Sequence, residues 1–261
     1  MKKIMLSAVF ALFAAVFAAG ISYAATQPRT DVVRTYNIPK DINEMKGFTA
    51  ALNEQDIWAS LLEIFSKEKR VGQLIFVKNH DVTSADVVLY EKVGNEWKQT
   101  MNVQGKSGKN GIARKDDYAG PGTTPIGAFA VLDAFGTNPN PGTKLPYTRI
   151  DENLYLCGDI YNNKLIDIRD NPHDCKACKR LIDYDPEFRY GILIDFDSDS
   201  IPDSGSAISL HCSGSGDNVD GSVTIAEKDM AELLRRLAPG AVIAIYDRDE
   251  TASPKKSADI F

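Results

Sequence analysis

Residues 207–223 read AISLHCSGSGDNVDGSV and place a histidine and a serine close together in the chain. The apolar run that ends at His211 is typical of a β-strand, and Ser222 follows a glycine just before a predicted helix. A histidine and a nucleophile that meet over backbone N–H groups are typical of acyl-transfer sites. The segment therefore predicts a site in which His211 is the base and Ser222 stands at the position of the nucleophile.

The first 24 residues predict a secretory signal peptide. Lys2 and Lys3 precede a long apolar run, and Ser22-Tyr23-Ala24 carries small residues where a signal peptidase cleaves. A membrane anchor is the alternative, but the run is barely long enough to span a bilayer. We therefore expect an exported chain with no membrane span after cleavage.

The charge of the chain argues against nucleic acid or anionic lipid as a partner. The formal charge is −6, and it becomes −8 when the predicted signal peptide, with its two lysines and no acidic residue, is removed.

The 237 residues that remain can form one large domain or two small ones. We expect a lead-in and helix over residues 25–72, a main domain over 73–246 and a tail over 247–261.

Short strands dominate the predicted elements. The predicted strands are Gln73–Lys78, Asp86–Lys92, Glu96–Val103, Gly127–Ala134, Tyr190–Phe196, Ala207–Leu210 and Ala241–Tyr246. A first helix is predicted over Lys46–Lys67 from apolar residues at helical spacing. A last helix follows a possible capping box, Thr224 and Glu227, and ends before Pro239-Gly240. The pattern predicts a mainly β fold with flanking helices, in the α+β class.

Two long stretches between these elements are predicted to be irregular. Residues 104–127 contain six glycines and read as a loop region, and residues 136–187 contain five prolines and three of the four cysteines. Asp195, Asp197 and Asp199 alternate, but a solvated turn is favoured over a calcium loop because the EF-hand glycine and glutamate are missing.

The four cysteines are disulfide candidates, because disulfides are permitted in an exported chain. They are Cys157, Cys175, Cys178 and Cys212, and the sequence does not choose among their pairings. A metal site built on Cys175, Cys178, His173 and Cys157 is the weaker alternative, so no metal and no cofactor are predicted. Cys212 should point to the face of its strand opposite to His211, which favours core packing or a disulfide over a role as nucleophile.

Four passages, taken in their order, resemble the L,D-transpeptidase catalytic domain, the YkuD or ErfK/YbiS family of bacterial cell-wall enzymes. Residues 108–111 and 122–129 are similar to its glycine-rich loop and T-P-x-G-x-F strand. Residues 189–192 are similar to the strand before the histidine segment, and residues 208–211 to the strand that ends in the catalytic histidine. Gly221-Ser222-Val223 is similar to the Gly-Cys-Val of the family.

This resemblance, which covers roughly residues 73–246, implies a β-sandwich or barrel catalytic domain in the periplasm or cell envelope. In the family a cysteine thiolate attacks a carbonyl of a peptidoglycan stem peptide, and an amine or water completes transpeptidation or trimming. The resemblance makes His211 the base and gives Ser222 and Gly221 the nucleophile position and the oxyanion pocket. It suggests substrate contacts at Thr124, Arg189 and Tyr190.

The sequence departs from the family at the residue that carries its chemistry. Ser222 replaces the cysteine, and a serine hydroxyl forms no standing ion pair with histidine and needs an oriented base. Thr224 stands where the family often has Arg or Asn, and Asp220 either orients His211 or is a turn residue.

Two main functions remain open. One is an impaired L,D-transpeptidase or L,D-carboxypeptidase. The other is a catalytically inactive homologue that binds peptidoglycan peptides or regulates another protein. A third interpretation is that the serine was introduced deliberately into a cysteine enzyme to trap substrate.

Overall fold

The structure is a computed structural model that describes residues 57–113, 122–157, 164–170, 178–196, 208–214 and 220–247. The predicted signal peptide, most of the lead-in, the C-terminal tail after Asp247, Cys175, His173, and Asp197 and Asp199 lie outside the described residues. Within the described ranges, no helix is both long enough and apolar enough to cross a membrane.

The core of the protein is a nine-stranded sheet. In chain order its strands are β1 (Gln73–Asn79), β2 (Ser84–Val93), β3 (Glu96–Lys106), β4 (Gly127–Gly136) and β5 (Tyr147–Arg149), and, after a small second sheet, β9 (Gly191–Ile194), β10 (Ser209–Cys212), β11 (Val223–Ile225) and β12 (Ala241–Asp247). The spatial order is β12-β1-β2-β3-β11-β10-β9-β4-β5, and β12 also pairs with β4. This extra pairing curls the sheet into a barrel-like shape.

The second sheet lies within the segment that was predicted to be irregular. It has the order β7-β6-β8, from β6 (Leu154–Cys157), β7 (Lys164–Asp167) and β8 (Cys178–Arg180). Two short 3₁₀ turns follow at Leu181–Asp183 and Glu187–Arg189. The expectation of an irregular excursion was therefore wrong in part, because short strands pair around a small apolar cluster that the prolines do not reveal.

Alternating side chains of β1 explain why its two faces are both buried. Ile75 and Val77 pack in the main core, whereas Leu74 and Phe76 pack beneath a helix, α1 (Ile57–Ser66). A strand buried on both faces reads as a continuous apolar run, which is what the sequence has here.

The last helix, α2 (Glu227–Arg236), buries its predicted apolar stripe against the main core. Its predicted capping box was wrong: Ala226 is the N-cap residue, with no side-chain capping bond, and Thr224 lies in β11. Ser222 therefore precedes a short strand rather than the helix itself. The expectation of a mainly β fold with flanking helices is confirmed.

Candidate functional site

The candidate site is built where β10 and β11 run side by side in the middle of the large sheet. The two strands are parallel, with His211 opposite Thr224. Two residues before His211 on the same strand, Ser209 contacts Ser222, which comes just before β11. Because residues two apart on a strand share a face, His211 lies on the same face of β10 as Ser209.

Glycine backbones pack closely around Ser222. Gly221 has a φ of +81°, and a Cβ added there would lie 2.7 Å from the carbonyl oxygen of Thr123. A Cβ on Gly108 would lie 2.4 Å from the carbonyl oxygen of Gly122 and 3.0 Å from Cα of Gly221. The glycine-rich loop and the Gly-Ser-Val segment, more than one hundred residues apart in sequence, are therefore in contact.

Thr124 holds this loop in place. Its side chain is fully buried, and its hydroxyl oxygen accepts a hydrogen bond of 2.7 Å from the N–H of Gly108. The structure therefore gives Thr124 a role in shaping the loop beside Ser222.

Ser222 is engaged by another serine. Its Oγ accepts a hydrogen bond of 3.2 Å from the N–H of Ser209 and lies 3.3 Å from Oγ of Ser209. Ser222 is only 7% exposed. Among the hydrogen bonds of the described residues, none joins Ser222 to His211, so the predicted nucleophile and base do not form a pair.

His211 is buried against an aromatic ring. Its Nδ1 lies 2.9 Å from the carbonyl oxygen of Cys212, which makes Nδ1 the donor in this contact, and its ring centre lies 4.9 Å from that of Phe188. Burial lowers the pKa of His211 to about 4, and the charge of Lys179 acts in the same direction, whereas backbone bonds to Cys212 and Glu187 oppose the change. The imidazole is therefore neutral and weakly basic at neutral pH.

Asp220 does not orient His211 but binds two lysines. Its Oδ1 lies 3.2 Å from Nζ of Lys109, and its Oδ2 lies 3.5 Å from Nζ of Lys179. Burial raises the pKa of Asp220, but the two ammonium groups outweigh this effect and hold the pKa below its ordinary value. Asp220 is therefore a carboxylate at neutral pH, at the edge of the site.

Arg189 and Tyr190, the two other residues predicted to contact substrate, make their contacts with other parts of the protein. Arg189 binds both carboxylate oxygens of Asp185 and one of Glu227. Tyr190 packs its side chain against the main core, and its carbonyl oxygen accepts a hydrogen bond of 3.2 Å from the N–H of Cys212. None of these contacts brings Arg189 or Tyr190 to Ser222.

The cysteines divide into two kinds. Cys178 is in a disulfide, whereas Cys157 and Cys212 are buried thiols outside disulfides. Cys157 and Cys212 were named as disulfide candidates with no pairing chosen, and that candidacy is wrong for both; for Cys212 the alternative of core packing holds. Cys212 points into the main core, away from the Phe188 side of the strand, as alternation predicts. No group of three or more potential metal ligands occurs within the described ranges.

We expect the thiol of Cys212 to be almost inert in the folded protein. Burial raises its pKa to about 12, and its Sγ donates to the carbonyl oxygen of Tyr190 at 3.5 Å. Because the thiolate is the reactive form, alkylation by iodoacetamide at pH 8 should be on the order of a thousand-fold slower than in guanidinium chloride. Mass spectrometry of the Cys212 peptide measures both rates, and equal rates would contradict the assignment of Cys212 as a core thiol.

Sequence reasoning missed three residues that shape the site. Ser209 could have been found, because it lies two residues before His211 in an alternating strand. Lys109 lies within the quoted glycine-rich passage but carried no signal of its own. Lys179 could not have been found, because β8 was expected to be irregular.

Comparisons with known proteins return only distant similarities. No protein-family model and no curated protein sequence matches the chain. Among solved structures, Bd1075 of Bdellovibrio bacteriovorus matches at 13% identity with a TM-score of 0.39, over 67% of this chain and 48% of Bd1075. L,D-transpeptidase 1 of Mycobacterium tuberculosis matches at 10% identity with a TM-score of 0.31, over 67% of this chain and 61% of that protein. The chain thus spans less than two thirds of either matched chain, and nothing about their activity follows for it.

Proposed function

We propose that this protein is an exported peptidoglycan-binding protein of the L,D-transpeptidase type, which holds stem peptides with little or no acyl transfer. The resemblance of the four sequence passages supports the substrate class. The observation that supports weak or absent acyl transfer is that Ser222 hydrogen-bonds to Ser209 and not to His211.

The state of His211 supports weak or absent catalysis. A serine hydroxyl reacts only when a base takes its proton during attack, and a base works best when its pKa is near the working pH. The pKa of His211 is lowered to about 4, chiefly by burial. Its Nδ1 donates to the carbonyl oxygen of Cys212, which leaves Nε2 as the nitrogen that could take a proton. The imidazole would have to become more basic before it could serve Ser222 well.

Acyl transfer at Ser222 is the second candidate. It is favoured by one observation, that His211 and the Ser209–Ser222 contact lie on the same face of neighbouring strands. A modest rearrangement of the two side chains would then assemble a nucleophile and a base.

Muropeptide digestion and binding to sacculi separate the two candidates. We expect the parent protein to sediment with isolated sacculi and to release no D-amino acid and form no L,D cross-link. Ser222→Cys should also give neither product, because a neutral histidine with a pKa of about 4 does not ionise the thiol. His211→Ala serves as the control for any background turnover.

Each alternative outcome has a definite meaning. Product from the parent that disappears in His211→Ala would establish acyl transfer and contradict the binding proposal. Turnover by Ser222→Cys alone would show that the parent lacks activity because it lacks the thiol, and not because His211 is neutral. Failure of the parent to bind sacculi would contradict the proposed function itself.

A further inference from the structure

The short 3₁₀ turn Glu187–Arg189, here named the Phe188 turn, covers one side of His211. Phe188 is only 5% exposed, and its ring centre lies 4.9 Å from that of His211. The side chain of Glu187 packs over Gly214, since a Cβ added to Gly214 would overlap its Oε1. The Phe188 turn therefore lies across the end of β10, where the histidine stands.

His211 and Ser222 are too deeply buried for a ligand to contact them as they stand. They are 8% and 7% exposed. β10 is fixed in the middle of the large sheet, because it is hydrogen-bonded to β9 on one side and to β11 on the other. The Phe188 turn belongs to no sheet ladder. Of the described elements packed against His211, it is therefore the one whose movement would expose the ring.

The Phe188 turn is tied to the rest of the protein by two backbone bonds and one ion pair. The N–H groups of Thr137 and Asn138 donate to the carbonyl oxygens of Phe188 and Arg189, at 2.9 Å and 3.2 Å. Nη1 of Arg189 donates to Oε2 of Glu227 at 2.9 Å, and Oε1 of Glu227 accepts from Nδ2 of Asn138 at 3.1 Å. Glu227 begins α2, which packs against the main core. The ion pair thus joins a short turn to an anchored helix.

The ion pair of Arg189 with Glu227 is exposed enough to open. The two side chains are 38% and 40% exposed, so water can replace each partner, and exposed ion pairs hold weakly. Arg189 also binds both carboxylate oxygens of Asp185, but Asp185 lies only four residues earlier on the same segment. That contact stays within the segment. The bond to Glu227 is the one that ties Arg189 to another element.

We propose that Arg189 is a positioning residue, whose ion pair with Glu227 holds Phe188 over His211 and so controls the access of a ligand to the candidate site. This inference rests on the proposed function, since it concerns the site that would hold the peptide, and it adds how access to that site is regulated. Loss of the ion pair releases the Phe188 turn, and high salt acts in the same direction because it screens the two charges.

Carbethoxylation of His211 by diethyl pyrocarbonate at pH 7 measures how often the Phe188 turn opens. The reagent attacks neutral imidazole, which is the form of His211 at this pH, and mass spectrometry of the His211 peptide gives the rate. At low salt, Arg189→Gln and Glu227→Gln should each label about three-fold faster than the parent, the size of an exposed ion pair. Since the two substitutions change the charge in opposite directions, a shared acceleration is not a direct effect of charge on the ring.

The double variant, Arg189→Gln with Glu227→Gln, tests whether the two residues act through one bond. It should label about three-fold faster than the parent, and not about nine-fold, because the second substitution removes nothing that the first has left. High salt should speed the labelling of the parent and leave the double variant unchanged.

Arg235→Gln and Asp229→Asn are the matched controls, because they make the same two charge changes on α2. Arg235 pairs with Glu232 of the same helix at 2.8 Å, and Asp229 shares the first turn of α2 with Glu227. Both variants should label at His211 as the parent does. His80, which contacts Asp86, serves as the reference in every sample, and thermal unfolding checks that every variant is folded.

Several results would overturn the role of Arg189. They are equal labelling of His211 in the parent and both glutamine variants, the same acceleration in the controls, and an additive, about nine-fold effect in the double variant. A labelling rate that rises with urea as steeply as global unfolding would show that His211 is exposed by unfolding and not by the Phe188 turn. Labelling is measured without ligand, so failure to bind sacculi would overturn the proposed function and leave the cover on His211 standing.

Discussion

Gly221→Ala should lower the free energy of unfolding by about 3 kcal/mol, from a strained φ and a backbone clash together. The φ of Gly221 is +81°, where residues with a Cβ are strained, and the added Cβ would lie 2.7 Å from the carbonyl oxygen of Thr123 and 3.1 Å from Cδ1 of Ile208. The carbonyl oxygen belongs to the backbone of a packed loop, so it cannot turn away as a flexible side chain would.

Denaturation by urea at neutral pH measures this effect, and Gly72→Ala is the matched control. Gly72 has no neighbouring heavy atom within 4 Å of an added Cβ. We expect its substitution to leave stability unchanged or to raise it by up to about 1 kcal/mol, because alanine restricts the unfolded chain. Equal stability of Gly221→Ala and the parent would show that the chain at Ser222 shifts at no cost, and that the close glycine packing does not fix the site.

Acidification should destabilise the protein by about 3 kcal/mol through His211, because burial moves its pKa from 6.5 to about 4. The unfolded chain takes up the proton near pH 6.5, whereas the folded chain takes it up only near pH 4. Between these values the unfolded state binds more protons, so stability falls as the pH falls, and this group causes no further loss below about pH 4.

The comparison of parent and His211→Asn isolates this contribution from that of the carboxylates. Asparagine keeps a donor that can reach the carbonyl oxygen of Cys212 but does not titrate. The parent should lose more stability than the variant between pH 7 and pH 4, as measured by urea denaturation at each pH. Parallel pH profiles, or an NMR titration of His211 near pH 6.5, would contradict a buried neutral imidazole.

Much of the fold could be predicted because single elements carry their own periodic signals. The apolar run of β1 and the helical stripe of Met230, Leu233 and Leu234 are local patterns, and both are buried as expected. The small sheet was missed because β6, β7 and β8 are each only three or four residues long. A strand of that length has too few residues to show an alternation, and its pairing depends on partners far away in the chain.

The sequence by itself predicted that His211 ends a strand, that Ser222 follows Gly221 eleven residues later, and that Cys212 turns away from the histidine. The pairing of β10 with β11 and the positive φ of Gly221 came from the structure. Only the tertiary structure decided that Ser222 bonds to Ser209, that His211 is neutral, and that Asp220 binds two lysines. The reason is physical. Strand alternation and backbone preference are local properties, whereas hydrogen-bond choice and desolvation depend on which distant segments surround a side chain. Phe188, Glu187 and Lys179, which set the state of His211, come from parts of the chain that no local pattern connects to it.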